Sequence, residues 1–394
     1  MVNWQRQELN LNQGQDVLDL LVNCQRAWVE IDLDAVAHNV RRLKAWLAPQ
    51  TQLMAVVKAD AYGHGAVRVA QTALANGADC LTIATLAEGV ELRQAGITTP
   101  ILILGAINAI EDIKAVAAWN LEPTICNATQ ATAFNNTLAR VGKYLMVHLK
   151  LDTGMSRLGT NWQDAVAFAQ LVTNLPHLKL KSVYSHFSTA DESDRTFMRL
   201  QQQRFNQALT QLKAQGIMPP QVHLANSAAA LGDRSTHYDL VRIGLALYGL
   251  YPSPEFSHSV NLRPALQVKA KVTQIKTIDP GEGVSYGRKY IATEPTKIAV
   301  VGIGYADGVP RNLSNRIQAI VRGQLVKQIG SITMDQLMLN VNHVPNVQSG
   351  DTVTLIGQQD HLKITADDWA EQLETISWEI LCGFKHRLPR IFNQ

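Results

Sequence analysis

The stretch LMAVVKADAYGHGAVRVAQTALANGADCLTIA, residues 53–84, sets the pattern for the larger part of the chain. An apolar run, LMAVVK (53–58), leads into residues at helical spacing, AVRVAQTALANG (66–77), and then into a second apolar run, CLTIA (80–84). Runs that stay apolar throughout fit strands buried on both faces. The intervening residues carry the period of an amphipathic helix. The alternation continues through ILIL (101–104), LEPTI (121–125), LMVHLKL (145–151), LKSVYSHF (180–187), QVHLAN (221–226) and DLVRIG (239–244). Eight strands alternating with helices point to an α/β fold, a closed parallel (β/α)8 TIM-like barrel. An open doubly wound sheet is the alternative arrangement of the same elements.

After YPSP (251–254) the texture changes. LQVKAKVTQIKTI (266–278), TKIAVVGIG (296–304), RIQAIVRG (316–323), ITMDQLMLNV (332–341) and DTVTLIG (351–357) are separated by Gly, Pro and Asn, a mainly antiparallel β pattern. One helix is expected over Thr365–Leu373, with Asp367 and Asp368 in its first turn. The expected organisation is an N-terminal extension (1–27), a barrel (28–260) and a C-terminal β domain (261–394). WVEIDLD (28–34) belongs either to the barrel or to the sheet of the second domain.

Composition narrows the function. With 46% hydrophobic and 18% charged residues, the 394-residue chain has the make-up of a folded globular protein. A net charge of +3 and the lack of a dense Lys/Arg run argue against nucleic acid. The start, MVNWQRQELNLNQGQDVLDL, has no apolar signal-peptide core, and no run nears the ~18 apolar residues of a membrane span, so a cytoplasmic protein is expected. Cys24, Cys80, Cys126 and Cys382 are scattered without a CxxC pair. They read as reduced thiols, with neither a disulfide framework nor a metal site.

The unusual polar residues gather where the strands end. Lys58 closes the first run, Lys150 and Asp152 the fifth, His186 the sixth, Asn226 the seventh and Arg242 the eighth, while Arg157 follows in a loop. Singly, each has an ordinary reading as a surface or structural side chain. Together they occupy the end at which barrels place their active sites. ANSAAA (225–230) and RIGLALYG (242–249) supply small residues that let backbone N–H groups approach an anion, and Ser227 stands where a helix opens. With no Walker A motif and no GxGxxG, that anion is read as the phosphate of a cofactor. A strand-end lysine opposite a phosphate cup suggests pyridoxal phosphate, with Lys58 forming the Schiff base.

AVVKADAYGHG (55–65), HLKLDTGMSRLG (148–159), SHFSTADE (185–192), HLANSAA (223–229), VRIGLALYGLYP (241–252), GVSYG (283–287), GYADGVPR (304–311) and ITMDQLM (332–338) together resemble the alanine racemase family, collinearly from about Trp28 to Arg390. The resemblance implies a homodimer with shared active sites, each acting on L- and D-alanine with pyridoxal phosphate. It implies that Lys58 carries the cofactor, that Tyr62, Ser227, Gly244 and Leu245 approach its phosphate, and that Arg242 faces the pyridine nitrogen. Asn226 joins the cofactor-binding set. Lys58 and Tyr286 would be the two bases, Tyr286 reaching in from the second subunit and His186 bonding between it and Arg242. Arg157, Tyr305, Met334 and Asp335 would meet the substrate, and Lys150 matches a lysine that is carbamylated in many relatives. The product would feed peptidoglycan synthesis.

Three positions depart from the family's commonest pattern. His386 stands where a phosphate-binding tyrosine is frequent, Ser331 where an entrance arginine is frequent, and Ser156 where a glycine is frequent. Other readings compete. A barrel-type decarboxylase of basic amino acids usually has a glutamate in place of Arg242. A broader-specificity racemase is often exported. A non-enzymatic cofactor-binding protein generally lacks the second β domain.

Overall fold

The computed structural model describes residues 25–393, so most of the expected N-terminal extension lies outside the described residues. The chain forms two compact units: Asp32–Ala265, and residues 25–31 together with Leu266–Asn393. Among the described residues no helix is long and apolar enough to cross a membrane.

The first unit is the expected barrel. Its strands are β1 (Gln52–Val56), β2 (Cys80–Ile83), β3 (Ile101–Ala106), β4 (Glu122–Ile125), β5 (Leu145–Asp152), β6 (Leu178–Tyr184), β7 (Gln221–His223) and β8 (Leu240–Ile243). Each pairs in parallel with the next, and β8 pairs with β1, so the sheet closes and the open arrangement is excluded. One face of the strands (Leu53, Ala55, Leu81, Ile83, Ile101, Ile103) packs into the large apolar cluster that includes helix residues such as Val40, Val69, Ile113 and Phe134. The alternate face of β1, β2, β3 and β8 gives a smaller apolar cluster, Met54, Cys80, Leu102 and Leu240.

Local sequence fixes where the helices begin. Asp32 caps Leu33–Trp46 through the amide of Ala35, and Asn127 caps Ala128–Val141. Thr85 and Glu88 form a capping box on Leu86–Gln94.

The segment after β8 is clamped in place. Leu245–Tyr248 makes one 3-10 turn, which Gly249 ends with φ 82°. The Asn39 amide donates to the carbonyls of Leu247 (3.1 Å) and Arg263 (2.8 Å), and its oxygen accepts from the amide of Arg263 (2.7 Å).

The second unit holds the expected antiparallel sheet, ordered Gln324–Lys327, Gln318–Val321, Thr352–Gln359, Leu266–Ile278, Ala27–Asp32, Arg390–Asn393. Ala27–Asp32 runs antiparallel to Leu266–Ile278, Ala27 opposite Ala270. Leu266–Ile278 also pairs with Thr296–Val301, which pairs with Leu337–Asn340. The expected helix spans Ala366–Leu373, with a Thr365–Asp368 capping box and Asp367 and Asp368 in its first turn.

A side chain at Gly249 would bring its Cβ within 1.8 Å of the Arg263 carbonyl oxygen, in a left-handed conformation. Gly249→Ala is therefore expected to destabilise the barrel unit by more than about 2 kcal/mol, seen as a lower urea midpoint. An unchanged midpoint would contradict this clamp.

Candidate active site

Lys58 stands two residues beyond the end of β1, where the backbone changes hand. Ala59, Asp60, Ala61 and Tyr62 have φ of 53°, 52°, 54° and 55°, four successive non-glycine residues in the left-handed region. Each costs roughly 1–2 kcal/mol against the right-handed form, so the turn needs partners. The Ala59 amide donates to Glu88 Oε1 (2.6 Å) and the Ala61 amide to the Val57 carbonyl (2.9 Å). The amides of Gly65 and Ala66 donate to the Asp60 carbonyl (2.9 Å) and Asp60 Oδ1 (2.8 Å). His64 Nδ1, 2.9 Å from the Ala61 carbonyl, must be the donor there. Gly63 and Gly65 close the turn at φ 83° and 89°.

This turn meets the loops after β7 and β8. Tyr248 donates to the Val56 carbonyl (2.7 Å), and its ring lies 5.0 Å from that of Tyr62 and 4.4 Å from that of His64. A Cβ on Gly244 would sit 2.8 Å from the Tyr62 hydroxyl oxygen, so only glycine lets that hydroxyl approach the Gly244 backbone. The buried Ser227 Oγ accepts from the Gly244 amide (3.0 Å), and the neighbouring Leu245 is also buried. Asn226 caps the short helix Ser227–Gly232 through the Ala229 amide (3.0 Å), which gives its side chain a local task.

Arg242 projects into the barrel from β8 and is only 4% exposed. Its Nη2 donates to the carbonyls of Ser185 (2.8 Å) and Leu224 (2.9 Å) and to His186 Nδ1 (3.0 Å). Its Nη1 donates to His223 Nδ1 (2.7 Å). Burial lowers the guanidinium pKa to about 10, which leaves it charged at neutral pH. Burial, then the positive charges of Arg242, Lys150, Arg157 and Lys58, holds His186 well below the usual imidazole range. His223 is pushed down likewise by burial and Arg242. Beneath them the Tyr184 ring stacks on His223 (4.6 Å, 7°) and faces both Arg242 (5.3 Å) and Lys150 Nζ (5.5 Å).

Lys150 is 6% exposed, and burial, followed by Arg242 and Arg157, pulls its pKa down to about 8. Arg157 is exposed, on a loop that Asp152 organises by accepting from the amides of Gly154 (2.9 Å) and Ser156 (3.1 Å). Ser156 itself has φ 54°, the left-handed conformation that a glycine adopts without cost.

The remaining site candidates lie in the second unit. Tyr286 is 72% exposed on a loop pinned by two reciprocal bonds: Ser285 Oγ donates to the Ser331 carbonyl (2.8 Å), and Ser331 Oγ to the Tyr286 carbonyl (2.7 Å). Ser331 is fully buried, so this position fastens the Tyr286 loop. Tyr305 and Met334 are brought together, the amides of Tyr305 and Ala306 donating to the carbonyls of Thr333 (2.9 Å) and Met334 (3.0 Å). Asp335 pairs with Arg387, and His386 lies in an exposed turn.

Sequence reasoning missed the residues that hold these loops. Glu88 was legible as a capping-box partner, though not as a support for Lys58. Asp307, buried, accepts from Arg26 Nη1 (2.8 Å) and from the Gly304 amide (3.0 Å), fixing the Tyr305 turn. Period-two alternation in LMVHLKL was the available signal for the polar residues facing the barrel interior.

Comparison with known proteins identifies the arrangement. The family model described as alanine racemase, N-terminal domain, matches residues 31–252, and that for the C-terminal domain matches 265–392. The chain belongs to the alanine racemase family. An alanine racemase of Nostoc sp. is 60% identical over 369 residues, 93% of this chain and 96% of that protein. One of Synechocystis sp. is 59% identical, over 93% and 99%. The alanine racemase of Bacillus anthracis, solved with bound L-Ala-P, superposes with a TM-score of 0.89 at 38% identity, covering 94% and 95%. Alanine racemases are pyridoxal-phosphate-dependent isomerases.

Within this family frame the Lys58 turn is the element under strain, and Glu88 is its outside support. Glu88→Ala is expected to leave the Ala59 amide without its acceptor and to speed hydrogen–deuterium exchange across 58–65 at least tenfold, the order expected for losing a bond to a charged group. Unchanged exchange would show that the turn holds itself.

Proposed function

We propose that the chain interconverts L- and D-alanine with pyridoxal phosphate as cofactor, as a cytoplasmic homodimer whose product feeds peptidoglycan synthesis. The observation that carries this reading is the meeting, at one end of the barrel, of Lys58 on its left-handed turn with the Tyr62–Ser227–Gly244 cradle and the buried Arg242.

The residues suit the cofactor. The tyrosine and serine hydroxyls and the Gly244–Leu245 backbone make a small cup of neutral donors for a phosphate. Asn226, which caps the helix behind Ser227, and His386 complete the cofactor set. Lys58 supplies the amine that holds the cofactor's aldehyde. Once bound, the cofactor supplies an electron sink for the pair released when the substrate's Cα–H bond breaks.

Two bases on opposite faces of Cα are then needed. Lys58, freed when the substrate's amine takes its place on the aldehyde, would handle the proton of D-alanine, and the partner subunit's Tyr286 would handle that of L-alanine. A free tyrosine titrates near 10, so its phenolate needs help at neutral pH. Arg242 offers only donors, so His186 must accept on Nδ1 and carry its proton on Nε2. That N–H is available to stabilise the phenolate. Tyr286, Tyr305 and Met334, all exposed in the second unit, are the residues offered to a second subunit. Tyr305, Met334 and Asp335 restrict the entrance and favour a methyl side chain, and Arg157 orients the substrate carboxylate.

Lys150 is read as carbamylated, its new anion holding Arg157. Carbamylation consumes the neutral amine, so at fixed CO2 pressure the modified fraction should rise as pH climbs through about 8. A labelled-bicarbonate 13C NMR signal that is absent, or insensitive to pH, would contradict this.

Polarimetry tests the main reading. Purified protein with added cofactor should bring L-alanine and D-alanine to the same racemic end point. Tyr286→Phe should remove most activity in both directions, and full activity in that variant would defeat the two-base scheme. Mixed Lys58→Ala and Tyr286→Phe subunits should recover activity in hybrid dimers. Hybrids shown to form but inactive would contradict a shared site.

A further inference from the structure

A line of polar side chains crosses the barrel interior, and the reaction as read above makes no use of most of it. It runs from Glu122, the first residue of β4, through His148 on β5, Ser182 on β6 and His223 on β7 to Arg242 on β8. Glu122 Oε2 is 2.9 Å from His148 Nε2, and His148 Nδ1 is 2.6 Å from Ser182 Oγ. Ser182 Oγ is 2.9 Å from His223 Nε2, and His223 Nδ1 is 2.7 Å from Arg242 Nη1. The Glu122 side chain is 16% exposed, and the other four residues are buried.

The two ends dictate the direction of every bond. A guanidinium only donates and a carboxylate only accepts. Arg242 must donate to His223 Nδ1, which places the ring proton of His223 on Nε2. That N–H donates to Ser182 Oγ, so the serine hydroxyl proton goes to His148 Nδ1. His148 Nε2–H then donates to Glu122. Both rings are neutral, both carry their proton on Nε2, and every donor meets one acceptor. An imidazolium at His148 would donate to Ser182 Oγ from one side while His223 Nε2–H donates from the other, leaving the buried serine hydroxyl proton with no acceptor in the column.

We infer that Glu122, acting through His148 and Ser182, is a positioning residue for Arg242. It terminates a one-way column of hydrogen bonds that selects the His223 tautomer able to receive Arg242 Nη1, and so fixes the plane of the guanidinium. The carbonyls of Ser185 and Leu224 hold only Nη2. The consequence for catalysis rests on the racemase reading. The column itself does not.

Histidine-15N NMR of the holoenzyme at neutral pH tests the column directly. His148 and His223 are expected as neutral rings protonated at Nε2, a signature that mere space filling does not require. Glu122→Leu removes the terminal acceptor. It is expected to take His148 out of its single tautomer and to lower kcat about tenfold while KM moves less than about twofold. Glu122→Gln keeps an acceptor oxygen and should restore both. Ser182→Ala cuts the column midway, should act on His223 in the same way, and serves if Glu122→Leu fails to fold. An imidazolium at His148 or an Nδ1-protonated His223 in the unsubstituted protein would overturn the proposal. So would kcat within about twofold of the unsubstituted protein in Glu122→Leu or, if that variant does not fold, in Ser182→Ala. The expected tautomers in a protein that does not racemise alanine would support the column and overturn the functional reading instead.

Discussion

A guanidinium keeps its proton, so burying Arg242 inside a barrel obliges the surroundings to accept from it. The obligation shapes much of the first unit. Two backbone carbonyls at the ends of β6 and β7 turn towards Nη2, and two imidazoles offer unprotonated nitrogens to the guanidinium, His186 to Nη2 and His223 to Nη1. Both imidazoles are thereby held neutral, and the tyrosine ring beneath them is a face on which cations rest. In the proposed reaction the same fixed charge keeps the pyridine nitrogen of the cofactor unprotonated, because two adjacent cations would repel. A cofactor held so would be a restrained electron sink, and Arg242 would favour return of the proton to Cα over its delivery to the cofactor.

The second constraint is backbone strain at Lys58. Four left-handed residues after β1 cost several kcal/mol in total. The cost is offset by the Glu88 carboxylate from the helix that follows β2, by Asp60 acting on the following turn and by two glycines. What the strain achieves is abruptness. The chain leaves an apolar strand and within five residues places the Tyr62 hydroxyl against the Gly244 backbone. In the second unit the equivalent device is a pair of hydroxyl bonds, Ser285 to Ser331 and Ser331 to Tyr286, which stiffens an otherwise exposed tyrosine.

The fold was legible because eight apolar runs alternate with stretches at helical spacing and because Gly- and Pro-rich breaks mark the change to antiparallel sheet. Lys58, His186 and Arg242 were legible because a charged or ionisable residue ending an apolar run is conspicuous. The left-handed turn was not, since Ala and Asp do not announce that conformation. Nor was the polar column. His148 and His223 each sit between apolar neighbours and Ser182 next to Val183, and these runs read as apolar on both faces when one face is polar. Glu122 looks like a strand-end surface charge until its partner four bonds away is known. Ser331 was legible only as standing where an entrance arginine is frequent, and the bond from its buried side chain to the Tyr286 carbonyl, which fastens that loop, was not legible.

The fixed charge of Arg242 is the centre of the proposed mechanism, and the effect proposed for it would be directly observable on the cofactor. Reconstituting the protein with pyridine-15N pyridoxal phosphate and recording the nitrogen resonance at neutral pH measures protonation at the atom concerned. An unprotonated nitrogen, becoming protonated in Arg242→Glu with a rise in transamination, is the predicted result. A protonated nitrogen in the unsubstituted protein, or no rise in transamination in Arg242→Glu, would contradict it.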